Sequence, residues 1–133
     1  MPSVEADREP VYLFEVDDHY YFSHFFDRTD VFEHLSAYYN DERYRFEVPC
    51  DAFEDVADYL REQWFEPVIV DDVEAFCVVK EQYTDHAEIL KRSVVHWSRR
   101  GHNFFVLKDP FSVDRAVEQG ATRIEDTDLV VGL

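Results

Sequence analysis

The sequence predicts an α/β or α+β fold, a single domain in which one mixed sheet is covered by four helices. Short runs rich in β-branched and aromatic residues alternate with longer segments whose apolar residues recur at helical spacing. Three of these helical segments open with an Asp-x-x-Glu pattern, and no linker rich in Pro, Gly and Ser divides the chain. Strands interleaved with short helices favour a helix-covered sheet over a bundle or a sandwich.

Six segments have the composition of β-strands. Each is short, is dominated by β-branched, aromatic or aliphatic side chains, and lies between turn residues or helical segments. Residues 1–10 are expected to form a loose N-terminal segment before the first strand. The predicted strands are Val11–Val16, Tyr44–Val48, Pro67–Val70, Phe76–Lys80, Asn103–Lys108 and Ala121–Glu125.

Four segments are predicted to be helices. The first three follow an aspartate with a glutamate three residues later, an acidic relative of the capping box, and each carries one apolar stripe. In the third, Leu90, Val94 and Trp97 fall on that stripe. Gly101 is expected to end the third helix, and Pro110 to begin the fourth. The predicted helices are Val31–Tyr39, Ala52–Phe65, His86–Arg100 and a shorter one that follows Asp109-Pro110 and ends at Gly120.

The predicted elements can be divided into two similar halves, each with the order β-α-β-α-β. The halves are residues 11–70 and 75–125, and the segment Tyr44–Val48 resembles Asn103–Leu107 in the second half. One interpretation is an internal duplication with a groove between pseudo-repeats. The other is coincidence, because any alternating chain of strands and helices aligns weakly with itself.

The composition excludes several classes of protein. Hydrophobic residues make up 46% and aromatic residues 17% of the chain, which excludes disorder as its main state. No apolar run reaches the roughly 18 residues of a membrane-spanning helix, and the polar N-terminus does not resemble a signal peptide. The two cysteines, Cys50 and Cys77, are too few for a disulfide scaffold. We therefore expect a cytoplasmic protein that does not bind membranes.

The chain is strongly acidic. Its 133 residues include 30 Asp and Glu but only 13 Lys and Arg, which gives a formal net charge of −17 at pH 7. Only three of the basic residues are lysines. Repulsion on this scale destabilises a compact state in dilute buffer, and salt relieves it by screening. The composition is typical of a halophile that accumulates salt, and the alternative is a mesophilic acidic protein with basic partners.

One segment departs from this acidic character. Residues 91–123 hold seven basic and three acidic side chains, and no acidic residue lies between Lys91 and Lys108. On the predicted third helix, Arg92 would share one outward face with its basic neighbours. The candidate ligand-binding or partner-binding residues are Lys91, Arg92, His96, Arg99, Arg100, His102 and Lys108.

The basic 91–108 segment has three interpretations. It could bind phosphates, with Phe104 stacking on nucleic-acid bases if that ring is exposed. It could bind a protein partner or a small anion. It could also be structural, because Arg99 and Arg100 in a last helical turn would complement the helix dipole, or it could pair with the acidic surface of the same chain or of a second copy.

Catalytic motifs are not evident in the sequence. Asp17 and His19 would share one face of a strand, so a small enzyme would need a third group from elsewhere. Cys50 precedes a helix, but the acidic residues around it oppose activation of its thiol. The three glycines are isolated, and no zinc, EF-hand or phosphate-loop spacing occurs. We expect no catalytic residue, no metal and no cofactor.

The sequence thus favours a non-enzymatic interaction or regulatory module that acts through the basic 91–108 segment. Its expected partner is another protein or a second copy of the chain. A nucleic-acid-binding accessory protein that uses the same segment is the first alternative. A small enzyme that uses Asp17 and His19 is the second.

The charge leads to a testable prediction about salt. The melting temperature should rise steadily as KCl is increased from about 0.1 M to about 2 M, because the Debye length falls from about 10 Å at 0.1 M to about 3 Å at 1 M. Thermal unfolding followed by circular dichroism would measure the change. A melting temperature that stays flat across this range would contradict adaptation to high salt.

Overall fold

Backbone hydrogen bonding divides the strands of the computed structural model into two separate sheets. The structure describes residues 8–132. The chain splits into two compact units, Met1–Val70 with a five-stranded mixed sheet and Asp71–Leu133 with a four-stranded antiparallel sheet. Four α-helices accompany these sheets in the described residues. The fold is therefore of the α+β class, and the predicted class is confirmed.

The first unit begins with a β-hairpin. Strands β1 (Glu9–Val16) and β2 (His19–Phe22) are antiparallel and are joined by a two-residue turn in which Asp17 has a φ of 54°. Aspartate tolerates this left-handed conformation better than most residues. The sequence did not predict β2. Residues 1–7 of the expected loose N-terminal segment lie outside the described residues, while the last two residues of that segment already belong to β1.

The rest of the first unit extends this hairpin on both sides. The strand order is β3-β4-β2-β1-β5; β5 is parallel to β1, and the other neighbours are antiparallel. The edge strand β5 contains Pro67. The elements that follow β2 are α1 (Thr29–Leu35), β3 (Tyr39–Asn40), β4 (Arg45–Pro49), α2 (Phe53–Glu62) and β5 (Phe65–Ile69).

The core of the first unit joins the sheet to α1 and α2. In α2 the buried side chains of Val56, Ala57 and Leu60 form one face, as the predicted apolar stripe requires. In the sheet, the rings of Phe22 and Phe46 stack at 4.7 Å. Burying each large apolar side chain stabilises the fold by about 1.5–3 kcal/mol. The fully enclosed cluster consists of Val11, Leu13, Phe22, Phe26, Val31, Leu35, Phe46, Val48, Val56 and Leu60.

The second unit has the chain order β-α-β-β-α-β. Its strands lie in the order β7-β8-β6-β9, and every pair of neighbours is antiparallel. This is the split β-α-β arrangement. The elements are β6 (Cys77–Glu81), α3 (Ala87–Lys91), β7 (Ser93–Arg99), β8 (His102–Leu107), α4 (Pro110–Glu118) and β9 (Thr122–Arg123), and their core consists of Val78, Ile89, Phe105, Leu107, Val113, Ala116 and Ala121.

The predicted helix His86–Arg100 is wrong beyond Lys91. The chain leaves α3 after five helical residues and runs as strand β7 from Ser93 to Arg99. Arg100 and Gly101 then have φ values of 51° and 80°. A two-residue turn with positive φ at both positions joins antiparallel strands, so Gly101 turns a hairpin and does not cap a helix.

Smaller differences concern the ends of elements. The predicted helix Val31–Tyr39 is wrong after Leu35, where α1 ends, and Tyr39 begins β3, a strand that was not predicted. Helix α2 ends at Glu62, three residues earlier than expected. The expected strand Ala121–Glu125 is reduced to the two residues of β9, which a short 3-10 helix, Ile124–Asp126, follows. These changes lie near the ends of regular elements, where local hydrogen bonds set the boundaries.

The two units have the same topology once β1 is set aside. The series β2-α1-β3-β4-α2-β5 then corresponds to β6-α3-β7-β8-α4-β9, with the same spatial order and the same relative strand directions. In this correspondence β4 matches β8, as the sequence suggested, but β6 matches β2 and not β1. Internal duplication stays a prediction, because shared topology also arises in unrelated chains.

The cap of α4 yields a stability prediction. The Asp109 carboxylate accepts the Ser112 amide at 2.6 Å and the Lys108 ammonium at 2.8 Å. Burial acts to raise the pKa of Asp109, but these hydrogen bonds lower it overall. Asp109→Ala should lower the free energy of unfolding by about 1–2 kcal/mol. Because the folded-state pKa is lowered, the contribution is complete above the ordinary value of 3.8 and is lost as pH falls through the folded-state value.

Urea unfolding in about 2 M KCl would measure both effects. Asp51→Ala is the matched control, because Asp51 is exposed and its helical turn has no side-chain cap. The control should change the free energy of unfolding by less than about 0.5 kcal/mol. Equal losses in the two variants would contradict the capping role.

Candidate functional site

The seven candidate residues do not form one cluster. Lys91, Arg92 and Lys108 lie at the base of the β7–β8 hairpin, whereas Arg99, Arg100 and His102 lie at its tip. The seven residues of β7 separate the two groups by roughly 20 Å, at about 3.3 Å per residue. His96 lies between them on the opposite face of the sheet from Arg99, since the two positions differ by an odd number.

The base of the hairpin combines cations with exposed apolar side chains. The Arg92 guanidinium lies 5.6 Å from the centre of the Phe111 ring, and the Phe111 side chain is 63% exposed. Leu90 is also exposed, at 38%. The Lys108 amide donates to the Arg92 carbonyl at 2.9 Å, which holds the two segments together.

The tip of the hairpin is tied to the C-terminal segment. The Arg99 guanidinium lies 4.8 Å from the centre of the Phe104 ring and donates a hydrogen bond to the carbonyl of Val130. Arg100 is exposed in the turn. The His102 Nδ1–H donates to the Arg100 carbonyl at 3.2 Å, because a carbonyl can only accept. This bond leaves Nε2 of His102 for another partner.

The cations of the second unit differ in how they are neutralised. Lys91 pairs with Glu88 at 3.4 Å and Lys108 with Asp109 at 2.8 Å. Arg92, Arg99 and Arg100, in contrast, form no ion pair with any residue in the range 8–132. Three guanidinium groups without carboxylate partners are unexpected in a chain with 30 carboxylates.

The aromatic residues of the hairpin are enclosed. Phe104 is 1% exposed, and its ring stacks on Trp97 with centres 5.2 Å apart and planes within 5°. The Phe104 ring therefore cannot stack on a nucleic-acid base. The nucleic-acid interpretation had required this ring to be exposed. The helical face that Arg92 was expected to share with its basic neighbours does not exist either, because residues 93–99 form a strand.

Asp17 and His19 lie in different surroundings. Asp17 is exposed in the β1–β2 turn. His19 lines an open depression of about 460 Å³ in the first unit, together with the acidic residues Asp41, Glu42 and Glu47, but Asp17 does not line it. Within residues 8–132 no group of three or more His, Cys, Asp or Glu side chains is placed to hold a metal ion.

The two thiols lie in different environments. Cys50 is exposed, and desolvation together with the carboxylates of Glu15 and Asp18 raises the pKa of its thiol. Cys77 is buried in β6, and burial raises the pKa of its thiol to about 12. Both shifts disfavour the thiolate, which is the nucleophilic form.

A pocket in the second unit was missed by the sequence analysis. It has a volume of about 480 Å³, and His102 is the one candidate residue in its lining. Its polar residues come from separate parts of the chain, so the only signal in the sequence is an isolated lysine at position 80 among acidic neighbours. The polar lining consists of Lys80, Glu81, Thr84, His102, Thr122 and Thr127.

Comparison with known proteins assigns the chain to no family. No protein-family model matches the sequence, and neither a curated protein nor a solved structure shows a significant match. Among the described residues, no helix has the length and apolar character needed to cross a membrane.

The thiols give a prediction about reactivity. In the native protein at about pH 8, a thiol reagent such as DTNB should modify one cysteine, Cys50, more slowly than it modifies free cysteine, because few thiolates form. Cys77 should react only after urea unfolds the chain. Cys50→Ser should abolish the native reaction, and rapid modification of two thiols in the folded protein would contradict the assigned environments.

Proposed function

We propose that the protein is a non-enzymatic interaction or regulatory module in the cytoplasm of a salt-accumulating halophile, and that the β7–β8 hairpin binds an acidic protein partner. One observation carries the proposal. Arg92, Arg99 and Arg100 form no ion pair within residues 8–132, although the chain is rich in carboxylates that could have neutralised them.

Arginine suits such a role chemically. Its planar guanidinium donates two parallel hydrogen bonds to one carboxylate, and it keeps its charge at any physiological pH. Arg100 is exposed at the tip and Arg92 is half-buried at the base, so the two could contact separate acidic groups on one partner. Arg99 is less available, because it already binds the carbonyl of Val130.

High salt requires more than charge for binding. Exposed ion pairs are screened beyond about 3 Å at 1 M salt, whereas apolar contacts are not. Phe111 and Leu90 supply exposed apolar surface beside Arg92 at the base of the hairpin. Aromatic and arginine side chains together are the usual centres of binding energy in protein interfaces. A partner should therefore present acidic and apolar groups side by side.

A second copy of this chain is one partner with suitable charge. Residues 1–70 contain 18 acidic and 5 basic side chains, so the first unit is strongly anionic. Nucleic acid is the competing ligand, but its phosphate contacts weaken steeply with salt and Phe104 cannot stack on bases. The enzyme alternative is less favoured, because Asp17 is exposed in the β1–β2 turn and does not line the depression that His19 lines.

The proposal predicts the effect of removing the two available arginines. The variant Arg92→Gln/Arg100→Gln should lose at least about tenfold in partner affinity, because each arginine at an interface centre contributes about 1–2 kcal/mol or more. Its free energy of unfolding should change by less than about 0.5 kcal/mol for each substitution. Light scattering on the purified protein would measure self-association, and capture from a nuclease-treated lysate in about 2 M KCl would identify other partners.

The control is Arg43→Gln/Arg61→Gln, which removes the same charge from exposed positions in the first unit. Support for the proposal is a defined protein, or a dimer, that is lost in the hairpin variant and kept in the control. If the hairpin variant and the control bind the partner equally well, the hairpin is rejected as the site. Binding that disappears on nuclease treatment would favour the nucleic-acid alternative.

A further inference from the structure

The pocket in the second unit lies where the sheet is incomplete. Strand β9 pairs with β6 only at Val78 and Val79, so the next two residues of β6, Lys80 and Glu81, have no neighbouring strand on that side in the described chain. The resulting pocket of about 480 Å³ is within the range of about 300–1,000 Å³ that is typical of small-molecule sites. We propose that it binds a small hydroxylated oxyanion, a molecule with one carboxylate or phosphate and several hydroxyl groups.

Lys80 is the group that would hold the oxyanion. It forms no ion pair with any residue in the range 8–132, and one of its three N–H groups donates to the Asp85 carbonyl. Two donors are left for a ligand. A Cβ on Gly120 would lie 3.5 Å from Cε of Lys80, so the backbone of Gly120 is close to the lysine side chain.

Other groups in the lining accept hydrogen bonds. The hydroxyls of Thr84 and Thr127 donate at 2.7 Å to the carbonyls of Glu81 and Ile124, respectively. These oxygens can therefore only accept from a ligand, and the Thr127 oxygen already accepts the Leu129 amide at 3.1 Å. Nε2 of neutral His102 is also an acceptor, because Nδ1 carries the proton. Hydroxyl groups on the ligand would satisfy these acceptors, which a bare carboxylate or phosphate would not.

Two further features fit this ligand class. Thr122, which pairs with Val79, adds an exposed hydroxyl to the lining, and Val79 and Leu129 supply apolar surface for a short carbon skeleton. Glu81 is exposed and lines the pocket, so its carboxylate can accept from hydroxyls and repels a second anionic group. The pocket should thus prefer a monoanion with hydroxyl groups to a polyanion.

The experiment uses matched probes at constant ionic strength. Binding of gluconate, glycerol 3-phosphate, acetate and glucose to the full chain would be followed by NMR chemical shifts in about 2 M KCl. Gluconate or glycerol 3-phosphate should bind at least about tenfold more tightly than acetate or glucose, because only the first two combine charge with hydroxyl groups. Comparison of these two probes separates a preference for a monoanionic carboxylate from a preference for a phosphate, which is largely dianionic at about pH 7.

Variants test which residues carry the binding. Lys80→Gln should weaken gluconate binding at least about tenfold, and Thr122→Val should weaken it a few-fold without loss of a β-branched side chain. Glu81→Gln should instead improve the binding of glycerol 3-phosphate, which is largely dianionic at about pH 7, because a repulsive charge is removed. Arg61→Gln, in the other unit, is the control and should change the binding of neither gluconate nor glycerol 3-phosphate.

Saturable shifts confined to the pocket and lost in Lys80→Gln would support the proposal. Shifts that are equal for all four probes, equal in Lys80→Gln and the parent protein, or absent would overturn it. A melting curve for each variant checks folding, and Thr122→Val keeps the test valid if Lys80→Gln does not fold. The inference is independent of the proposed partner, since Arg92→Gln/Arg100→Gln should leave gluconate binding intact.

Discussion

The second unit depends on the two-residue turn at Arg100 and Gly101. Positive φ at both positions reverses the chain within two residues and brings residues 93–107 into one antiparallel hairpin. The register of that hairpin places Phe105 and Leu107 in the core beneath the helices, while Trp97 and Phe104 stack on the opposite face of the sheet. It also separates the basic side chains into a base group and a tip group.

Most of the fold could be predicted because many segments have a clear local preference. Val11–Val16 is β-branched and aromatic, and the buried stripe of α2 follows helical spacing over several turns. The third helix could not be predicted in this way. Residues 87–97 satisfy a helical stripe, yet Ile89, which lies off that stripe, is buried and Leu90 is exposed. Pairing with β8, a nonlocal interaction, decides the conformation of residues 93–99.

The candidate site could be predicted in composition but not in geometry. The acid-free run from Lys91 to Lys108 is visible in the sequence, and three of its arginines do lack carboxylate partners in residues 8–132. A strand alternates its faces, however, so His96 lies on the opposite face from Arg99 and His102. The pocket was missed because its lining joins residues up to 50 positions apart, and only the packed chain brings them together.

The sheet edges have a consequence for aggregation. If the protein works in concentrated salt, as proposed, charge repulsion cannot keep its exposed strands apart, because that repulsion is screened. Three of the four edge strands in the described chain are blunted, and the fourth, β7, has seven residues. Strands β3 and β9 are only two residues long, and β5 carries Pro67, whose nitrogen cannot donate to an added strand. These features depend on length and covalent structure, so salt does not weaken them. Replacing Pro67 with valine would lengthen a surface on which chains could join into fibrils.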